Sequence, residues 1–327
     1  PAGRGAAFRE DMHALIDEIR IAIPAVFEEE DYRNQLKALE GELHEEIEQQ
    51  WEDVRRKAAK DDIAVLQTPS GYVLAPLRDG KVIDDKDFEN LPDDERESIK
   101  ATIDKLGEEL QARIESLPKL RKAQHERVRT LDREITAHAV SVLIQELSAK
   151  YGDVPEVVHY LEEVREDIIE HAQEFRQTDE PALPFLRNDI SSLLMSYEIN
   201  LLVGNEPDRP APVVYETNPS YPNLVGKVEH RAEMGALLTD FRMVRGGALL
   251  HANGGYLVLD ALKVLQQPYA WDALKRALND KELKIESLGE SLSLISTVSL
   301  EPQPIPLDVK VVLVGDRMLY YMLYQQD

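Results

Sequence analysis

The sequence predicts a protein in two parts: a long, mostly helical first half and an α/β second half with parallel strands. Apolar residues recur every three or four positions through the first half, which is the helical period. In the second half, near-continuous apolar runs alternate with an amphipathic segment, as in parallel sheets that are covered by helices. The 327 residues also exceed one typical core, so two domains are expected.

The first half begins with two predicted helices, over residues 8–30 and 32–60. The apolar stripe of the second helix steps by three and four residues, which is the coiled-coil pattern. It consists of Leu36, Leu39, Leu43, Ile47, Trp51 and Val54. Packing into a helical core explains such a stripe, and a protein-binding surface at the tip of the helices is the alternative.

Residues of β type interrupt the helices. Two turn sequences, Pro69-Ser70-Gly71 and Asp79-Gly80, lie among them, so a small β-hairpin is predicted over residues 63–84. Helical spacing resumes after Pro92 and continues to Leu147, with Pro118 expected to interrupt or kink the run.

A last helix is predicted from Pro155 to about Gln177, and the sequence TDEPALP after it is a linker. The first predicted domain is therefore residues 1–180, a partly coiled-coil helical arm with a β-hairpin at its tip. We expect this arm to make few contacts with the α/β half.

The second predicted domain, residues 185–327, is part of an α/β module. Its elements are strands at Tyr197–Val203, Ala211–Tyr215, 256–260, 281–286 and 305–316, a hairpin near 291–302 and a helix at 262–279. Buried strands that alternate with a helix favour a parallel, doubly wound sheet.

Charge and composition exclude several classes of protein. The formal net charge is −24, which disfavours nucleic acid and anionic membranes as partners. Residues 1–185 carry 25 basic and 44 acidic side chains, against 13 and 18 from residue 186 onward, so the helical half is the acidic one. The eight histidines are scattered, and those on Glu-rich helices are best explained as solvated side chains.

The absence of cysteine excludes disulfides, thiolate zinc sites and cysteine nucleophiles. No apolar run approaches the roughly 18 residues of a membrane span, and no signal peptide precedes the first helix, so a cytoplasmic protein is expected. The chain opens without Met and stops after a helix-like run, and we expect both ends to continue in a longer protein.

Two apolar strands end in acid, at Asp260 and at Asp316. Ligands of open parallel sheets bind beyond the carboxyl ends of the strands, where a carboxylate can hold Mg²⁺ against phosphate oxygens. A P-loop ATPase has this arrangement, with a second polar residue one strand over. However, no GxxxxGK[ST] sequence occurs in the chain, and the Gly-rich stretch 246–255 is not a phosphate cradle. Asp260 therefore either belongs to a nucleotide site or merely ends a buried strand.

Four sequence blocks carry a family resemblance. They are NPSYPNLVGKVEHR (218–231), TDFRMVRGGALLHANGGYLVLDALKVL (239–265), WDALKRAL (271–278) and LEPQPIPLDVKVVLVGDR (300–317). Together they resemble the Lon-like ATP-dependent proteases of the AAA+ class, specifically the LonC and Lon-related branch. The first half looks like the helical segment that this branch inserts into its AAA+ module.

The resemblance implies that the chain is the central part of a longer serine protease that acts on unfolded or damaged proteins as a homo-hexamer. The P-loop is then expected upstream of residue 1, and a protease domain with a Ser-Lys dyad downstream of residue 327. ATP and Mg²⁺ are the implied cofactors of the full-length protein. We expect this chain to bind neither by itself and to contain no protease residue.

The resemblance also assigns roles to single residues. Asp260 matches the Walker B aspartate that holds Mg²⁺, and Ala261 stands where stricter Lon branches carry the glutamate that activates water. Asp316 matches the sensor-1 position, where Asn is common. The resemblance also suggests inter-subunit contacts for Arg276 and Arg317. Tyr221 and Leu224 would belong to a pore loop that grips substrate, and packing within their own domain is the alternative for these two residues.

A second hypothesis comes from a different class. The chain is then a non-catalytic coiled-coil scaffold or chaperone-like module, whose α/β half has lost nucleotide chemistry. A P-loop and a Ser-Lys domain in the flanking sequence would favour the protease, and their absence the scaffold.

Overall fold

The computed structural model describes residues 3–68, 71–78, 81–83, 88, 91–176, 190–204, 210–233, 236–286 and 300–325. The chain divides into two compact units, Glu18–Ser192 and Pro1–Asp17 together with Leu193–Asp327. No helix in the described ranges combines the length and apolar character that crossing a membrane requires.

Helices form most of the first unit, with one small sheet. The helices are α1 (Arg4–Glu28), of which only the residues from Glu18 onward belong to this unit, α2 (Glu30–Lys60), α3 (Asp93–Lys150), α4 (Pro155–Glu170) and α5 (Ala172–Phe175). The strands are β1 (Ile63–Thr68), β2 (Gly71–Arg78) and β3 (Lys81–Val82), paired antiparallel in the order β1-β2-β3. Residues 69, 70, 79 and 80 of the predicted turns lie outside the described residues.

The longest helix, α3, has 58 residues and extends for about 87 Å at 1.5 Å per residue. The sequence predicted an interruption or kink at Pro118, and the assigned helix continues through this residue. A proline inside a helix removes one backbone hydrogen bond, and here Ile114 and Leu117, just before Pro118, pack against the cluster of Trp51, Val54 and Leu110.

Small apolar clusters hold the helices to the sheet. Trp51, Val54 and Leu110 form one cluster between α2 and α3. The indole of Trp51 stacks on Tyr72 of β2, with ring centroids 4.2 Å apart and an interplanar angle of 28°. Through this stack the inner face of the small sheet is fixed on the helix pair.

The opposite end of this unit contains a buried polar network. Asp132 of α3 is fully buried, and its Oδ1 accepts a hydrogen bond of 2.7 Å from the Tyr32 hydroxyl. Arg176 Nη1 donates to the other carboxylate oxygen at 3.3 Å. Burial and the hydrogen bond to Asp132 raise the pKa of Tyr32 to about 12. The network links the start of α2, the middle of α3 and the residue that follows α5.

The second unit contains a three-stranded parallel sheet in the order β12-β9-β4. Its strands are β4 (Val213–Glu216), β9 (Tyr256–Asp260) and β12 (Lys310–Val314). The shorter strands are β5 (Gly226–Val228), β6 (Arg231–Glu233), β7 (Ala236–Leu238), β8 (Val244–Gly246), β10 (Glu282–Leu283) and β11 (Ile305–Pro306), in the antiparallel pairs β5-β8, β6-β7 and β10-β11. The predicted parallel sheet is therefore present in the second half.

The second half also contains six short helices within the described residues. They are α6 (Ile190–Met195), α7 (Tyr221–Leu224), α8 (Ala248–His251), α9 (Ala261–Gln266), α10 (Ala270–Asp280) and α11 (Arg317–Tyr324). The core centres on Leu257 and Leu259 of β9, which are fully buried among residues of α7, α8 and α10. The single helix predicted over 262–279 is two helices, because Tyr269 adopts a left-handed conformation with φ of 65° directly after Pro268.

The observed units differ from the predicted domains at the start of the chain. The prediction placed residues 1–180 in one helical domain, whereas residues 1–17 cluster with the second half. Leu201 packs on Gly5 so closely that a methyl group there would lie 2.7 Å from its Cδ1. The predicted boundary between 180 and 185 and part of the predicted hairpin near 291–302 lie outside the described residues.

Candidate functional site

The carboxyl ends of three parallel strands meet at one edge of the sheet. In the observed register Asp260 of β9 pairs with Val314 of β12, and Leu259 pairs with Glu216 of β4. Asp316 lies two residues beyond Val314, at the same edge. The two aspartates predicted from the sequence therefore follow neighbouring strands, as a parallel sheet requires.

Asp260 begins helix α9 as its N-cap residue. Its Oδ1 accepts a hydrogen bond of 3.0 Å from the backbone N–H of Lys263, which satisfies a free donor in the first turn. The ammonium group of Lys263 donates to the backbone carbonyl of Thr217 at 3.0 Å. The end of β9 is thus tied to the loop that follows β4.

Asp316 is also an N-cap residue, for α11. One of its carboxylate oxygens accepts a 2.7 Å hydrogen bond from the backbone N–H of Met318. Arg317 donates to the hydroxyl of Tyr321 at 3.0 Å, and its guanidinium lies 5.6 Å from the centroid of that ring. In this chain Arg317 therefore contacts its own helix, and its proposed inter-subunit role stays a prediction.

Position 261 is closely packed. Ala261 is 4% exposed, and a Cβ atom at Gly315 would lie only 3.0 Å from the Ala261 Cβ. Ala261 can lie this close to the end of β12 only because residue 315 has no side chain. No carboxylate stands at this position, so a water molecule at the sheet edge has no general base from residue 261.

The residues present fit one kind of metal site. Mg²⁺ is commonly held by one or two carboxylates together with substrate phosphates rather than by an all-protein cage. Asp260 offers a half-exposed carboxylate with one oxygen engaged by a backbone N–H. No group of three or more acidic or histidine side chains that could hold a metal occurs among the described residues. Asp260 thus suits a Mg²⁺ ion that arrives with a nucleotide.

Two other predicted residues lie in the core. Tyr221 is 8% exposed and Leu224 is fully buried in α7, next to the buried residues of α10. Neither side chain is exposed enough in this conformation to contact a polypeptide substrate. Their burial favours the alternative that both residues pack within their own domain. Arg276 lies on the exposed face of α10 and stays a prediction for a subunit contact.

The Gly-rich stretch serves backbone packing. A Cβ atom at Gly247 would lie 2.6 Å from the Gly226 nitrogen, and one at Gly255 would lie 2.8 Å from the Pro212 nitrogen. Side chains are excluded at both positions because another segment of backbone passes there. The sequence argument that this stretch is not a phosphate cradle agrees with that packing.

Two residues at the sheet edge were not found from the sequence. Glu216 ends β4, and Lys263 joins α9 to the loop after β4. The sequence did contain one indication of a role for Glu216, because an acidic residue directly follows the predicted strand over 211–215. Lys263 lies within the predicted helix over 262–279, and nothing in the sequence distinguishes it from the other polar residues of that helix.

Comparison with known proteins identifies part of the chain. Residues 209–327, roughly a third of the sequence, match the family model described as LonB-like, AAA domain. The match covers the sheet, both predicted aspartates and α11. It confirms the resemblance to Lon-like AAA+ proteins that the sequence blocks indicated. The comparison with curated proteins gives no match to the chain.

Proposed function

We propose, from the premise that residues 209–327 form a Lon-like AAA+ domain, that the protein binds Mg·ATP at the carboxyl edge of this sheet. An AAA domain implies nucleotide binding, and ATP with Mg²⁺ is consistent with it. The observation that carries the proposal is the position of Asp260 at the end of a buried central strand, with a half-exposed carboxylate.

In this proposal Asp260 holds Mg²⁺, directly or through water, and Asp316 lies where a γ-phosphate would be sensed. Mg²⁺ supplies charge neutralisation for the phosphates. The phosphate cradle comes from sequence outside residues 1–327, because the chain contains no GxxxxGK[ST] sequence. The 327-residue chain alone is therefore expected to show no micromolar affinity for Mg·ATP.

The test is nucleotide binding by the full-length protein with Asp260→Asn. Asparagine keeps an oxygen that caps α9 but removes the negative charge, so the fold is expected to survive while Mg²⁺-dependent ATP affinity falls at least tenfold. Asp308→Asn is the matched control, since Asp308 is an exposed residue at the opposite edge of the sheet. Equal ATP affinity in the two variants would argue against the site.

We propose further that the protein is a Lon-like, ATP-dependent or ATP-assisted serine protease that works as a hexamer, with the present chain as its central part. The support is the family match together with the sequence blocks on either side of Asp260. A peptide map and intact mass of the native protein test this proposal. Flanking peptides with a P-loop and a Ser-Lys domain are expected, and a mass near 37 kDa would contradict it.

The helical unit supports a role in handling unfolded substrates. Leu66 of β1 lies directly across from Val73 of β2, and Leu77 pairs with Val82 of β3. Since residues two apart share a face of a strand, these side chains lie on the sheet face opposite to the one stacked on Trp51. Leu66, Val73 and Val82 are 40%, 47% and 48% exposed. An antiparallel sheet normally presents polar residues to solvent, so this apolar face is suited to unfolded polypeptide.

Serine substitution of Val73 tests that role. In the full-length protein, Val73→Ser is expected to weaken binding of an alkylated, permanently unfolded protein several-fold, measured by fluorescence anisotropy. Val142→Ser is the control, because Val142 is 55% exposed on α3, outside the sheet. Equal binding by both variants would remove this face from the proposal.

The scaffold hypothesis remains the second candidate, and Ala261 favours it. A nucleotide site without a carboxylate at this position has lost its usual base for water. A native protein that retains the apolar sheet face and binds unfolded polypeptide, but neither binds ATP nor cleaves peptides, would establish the scaffold.

A further inference from the structure

The proposed ATP site lacks a base at its expected position. Hydrolysis needs a group that orients the attacking water and accepts its proton. The residue after Asp260 is Ala261, whose methyl group cannot do either. A carboxylate at the end of a neighbouring strand could supply both functions.

Glu216 is the last residue of β4, the strand that pairs with β9. It pairs with Leu259, the residue directly before Asp260. Paired residues of neighbouring strands share a face, so Glu216 lies on the face of Leu257 and Leu259, at the end of the sheet where Asp260 also lies. Adjacent strands lie about 4.8 Å apart. Ala261 follows β9 directly, with Gly315 next to it on the β12 side, and Glu216 is the residue that ends the strand on the β4 side.

A local hydrogen bond holds the Glu216 carboxylate past the end of its strand. Its Oε1 accepts from the backbone N–H of Asn218 at 2.7 Å. This bond directs the carboxylate toward the loop that follows β4, at the carboxyl edge of the sheet. The loop itself is tied to α9 by Lys263, whose ammonium donates to the Thr217 carbonyl.

The carboxylate also keeps capacity to accept a proton. Its one hydrogen bond within the described part of the chain comes from a backbone amide, and no described Lys or Arg forms an ion pair with it. Glu216 thus combines position, orientation and an unoccupied oxygen.

We infer that Glu216 is the water-activating carboxylate of this site and takes the role that residue 261 cannot fill. This inference rests on the proposed binding of Mg·ATP. Glu216 accepts a proton from water as the water oxygen bonds to the γ-phosphorus. The bond from that phosphorus to the β–γ bridging oxygen breaks, and its electron pair leaves with ADP. The proton then passes from Glu216 to inorganic phosphate.

The test uses the full-length protein with Glu216→Gln, which keeps the oxygen that accepts from Asn218. We expect kcat for ATP hydrolysis to fall about 10²–10⁴-fold, as when a positioned base is removed, with little change in ATP affinity. A second readout is the bound nucleotide, extracted and separated after incubation with ATP. The variant is expected to retain ATP where the unmodified protein retains ADP.

Two further variants complete the design. Glu282→Gln, at an exposed residue of β10, is the control and is expected to match the unmodified protein. Glu216→Asp keeps a shorter carboxylate, so it is expected to regain part of the lost rate, whereas an effect on folding alone would not separate Asp from Gln. Thermal melting of each variant checks the fold.

The outcomes separate the inference from the proposed function. If the unmodified protein binds no ATP, the proposed nucleotide site fails, and the role of Glu216 fails with it. If it binds ATP but hydrolyses none, or if Glu216→Gln hydrolyses as fast as Glu282→Gln, the inference is overturned while ATP binding stands. Loss of kcat with retained ATP in Glu216→Gln, and partial recovery in Glu216→Asp, supports it.

Discussion

Asp132 is an acidic side chain with no exposed area in the helical unit. Burial of an ionised carboxylate is unfavourable unless other groups compensate it. Here the compensation comes from the Tyr32 hydroxyl and the Arg176 guanidinium, at 2.7 and 3.3 Å. The same three residues join α2, α3 and the segment after α5, so the network constrains the fold as well as the charge.

Replacement of this carboxylate tests its contribution. Asp132→Asn keeps an oxygen that accepts from Tyr32 but leaves Arg176 without its anion. We expect the free energy of unfolding of the helical unit to fall by about 1–3 kcal/mol, measured by urea denaturation followed by circular dichroism. The control is Asp53→Asn, because Asp53 pairs with Arg56 on an exposed helix surface, where ion pairs contribute little. Equal effects would show that the buried network has no special role.

The same network predicts an alkaline effect. The pKa of Tyr32 is raised to about 12 from a usual value of 10.0, first by burial and then by its hydrogen bond to Asp132. A raised pKa means that the folded protein holds this proton more tightly than the unfolded chain. The resulting stability is fully present below pH 10 and is lost as the pH rises toward 12.

Tyr32→Phe is expected to remove part of this pH dependence. Ultraviolet titration of tyrosinate should show one fewer group ionising near pH 12 in the variant. Burial also raises the pKa of Tyr160 to about 12, so one late ionisation is expected to remain. Loss of an ionisation near pH 10 instead would contradict the buried position of Tyr32.

At the scale of elements, glycines determine how closely strands and turns approach. Gly255 precedes β9, and the Tyr256 N–H donates to the Pro212 carbonyl at 2.8 Å, the first contact between β9 and the segment that leads into β4. A Cβ atom at Gly255 would overlap the Pro212 carbonyl oxygen and lie 2.8 Å from the Pro212 nitrogen. Because both contacts are with backbone, rotation of a side chain cannot relieve them.

Gly255→Ala is therefore expected to destabilise the second unit by about 1–3 kcal/mol, the usual cost of overpacking. Gly204→Ala is the matched control in the same unit, since a Cβ atom there would meet only the Leu201 side chain, at 3.4 Å. Thermal unfolding measures both. A loss at Gly204 as large as that at Gly255 would contradict the argument from backbone contact.

Elements that depend on local pattern were predicted well from the sequence. The strands that end at Asp260 and before Asp316 are parallel neighbours, as their apolar runs indicated. The predicted strand over Tyr197–Val203 was wrong, because no strand is assigned there. The Asn200 amide donates to the carbonyls of Phe241 and Val244, at 2.8 and 3.1 Å, so a side chain makes contacts that strand pairing would otherwise supply. No pattern in the sequence specifies such a long-range bond.

The candidate site was predicted only in part for a similar reason. Asp260 and Asp316 were found because each ends an apolar run. Glu216 was not, because its importance depends on the strand order β12-β9-β4 and on the register that pairs it with Leu259, next to Asp260. Helix caps were also missed: both aspartates bind backbone N–H groups, so a change at either one alters structure together with chemistry.

At the scale of the whole molecule, the division of the chain depends on contacts between residues far apart in sequence. The apolar stripe of α1 predicted a helix with one buried face, and Met12 and Ile19 are fully buried. A stripe specifies that a face is buried but not what covers it. Residues 1–17 could therefore be assigned to the second unit only from contacts such as that of Gly5 with Leu201.

Two separate cores predict two unfolding transitions. Clusters around Trp51 and Ala58 belong to the unit Glu18–Ser192, and the cluster around Leu257 belongs to the other unit. Since each variant above perturbs one core, Asp132→Asn should lower the melting temperature of one transition and Gly255→Ala that of the other. Calorimetry of the 327-residue chain measures both.

A double variant with both Asp132→Asn and Gly255→Ala tests whether the two cores unfold independently. Distant and independent sites add in their effects on stability, so the double variant should show both shifts, each equal to that of its single variant. A single transition that moves with either substitution would mean that the two cores unfold as one cooperative unit. The two-unit description would then hold for packing but not for stability, and the acidic helical unit would depend on the second unit in order to stay folded.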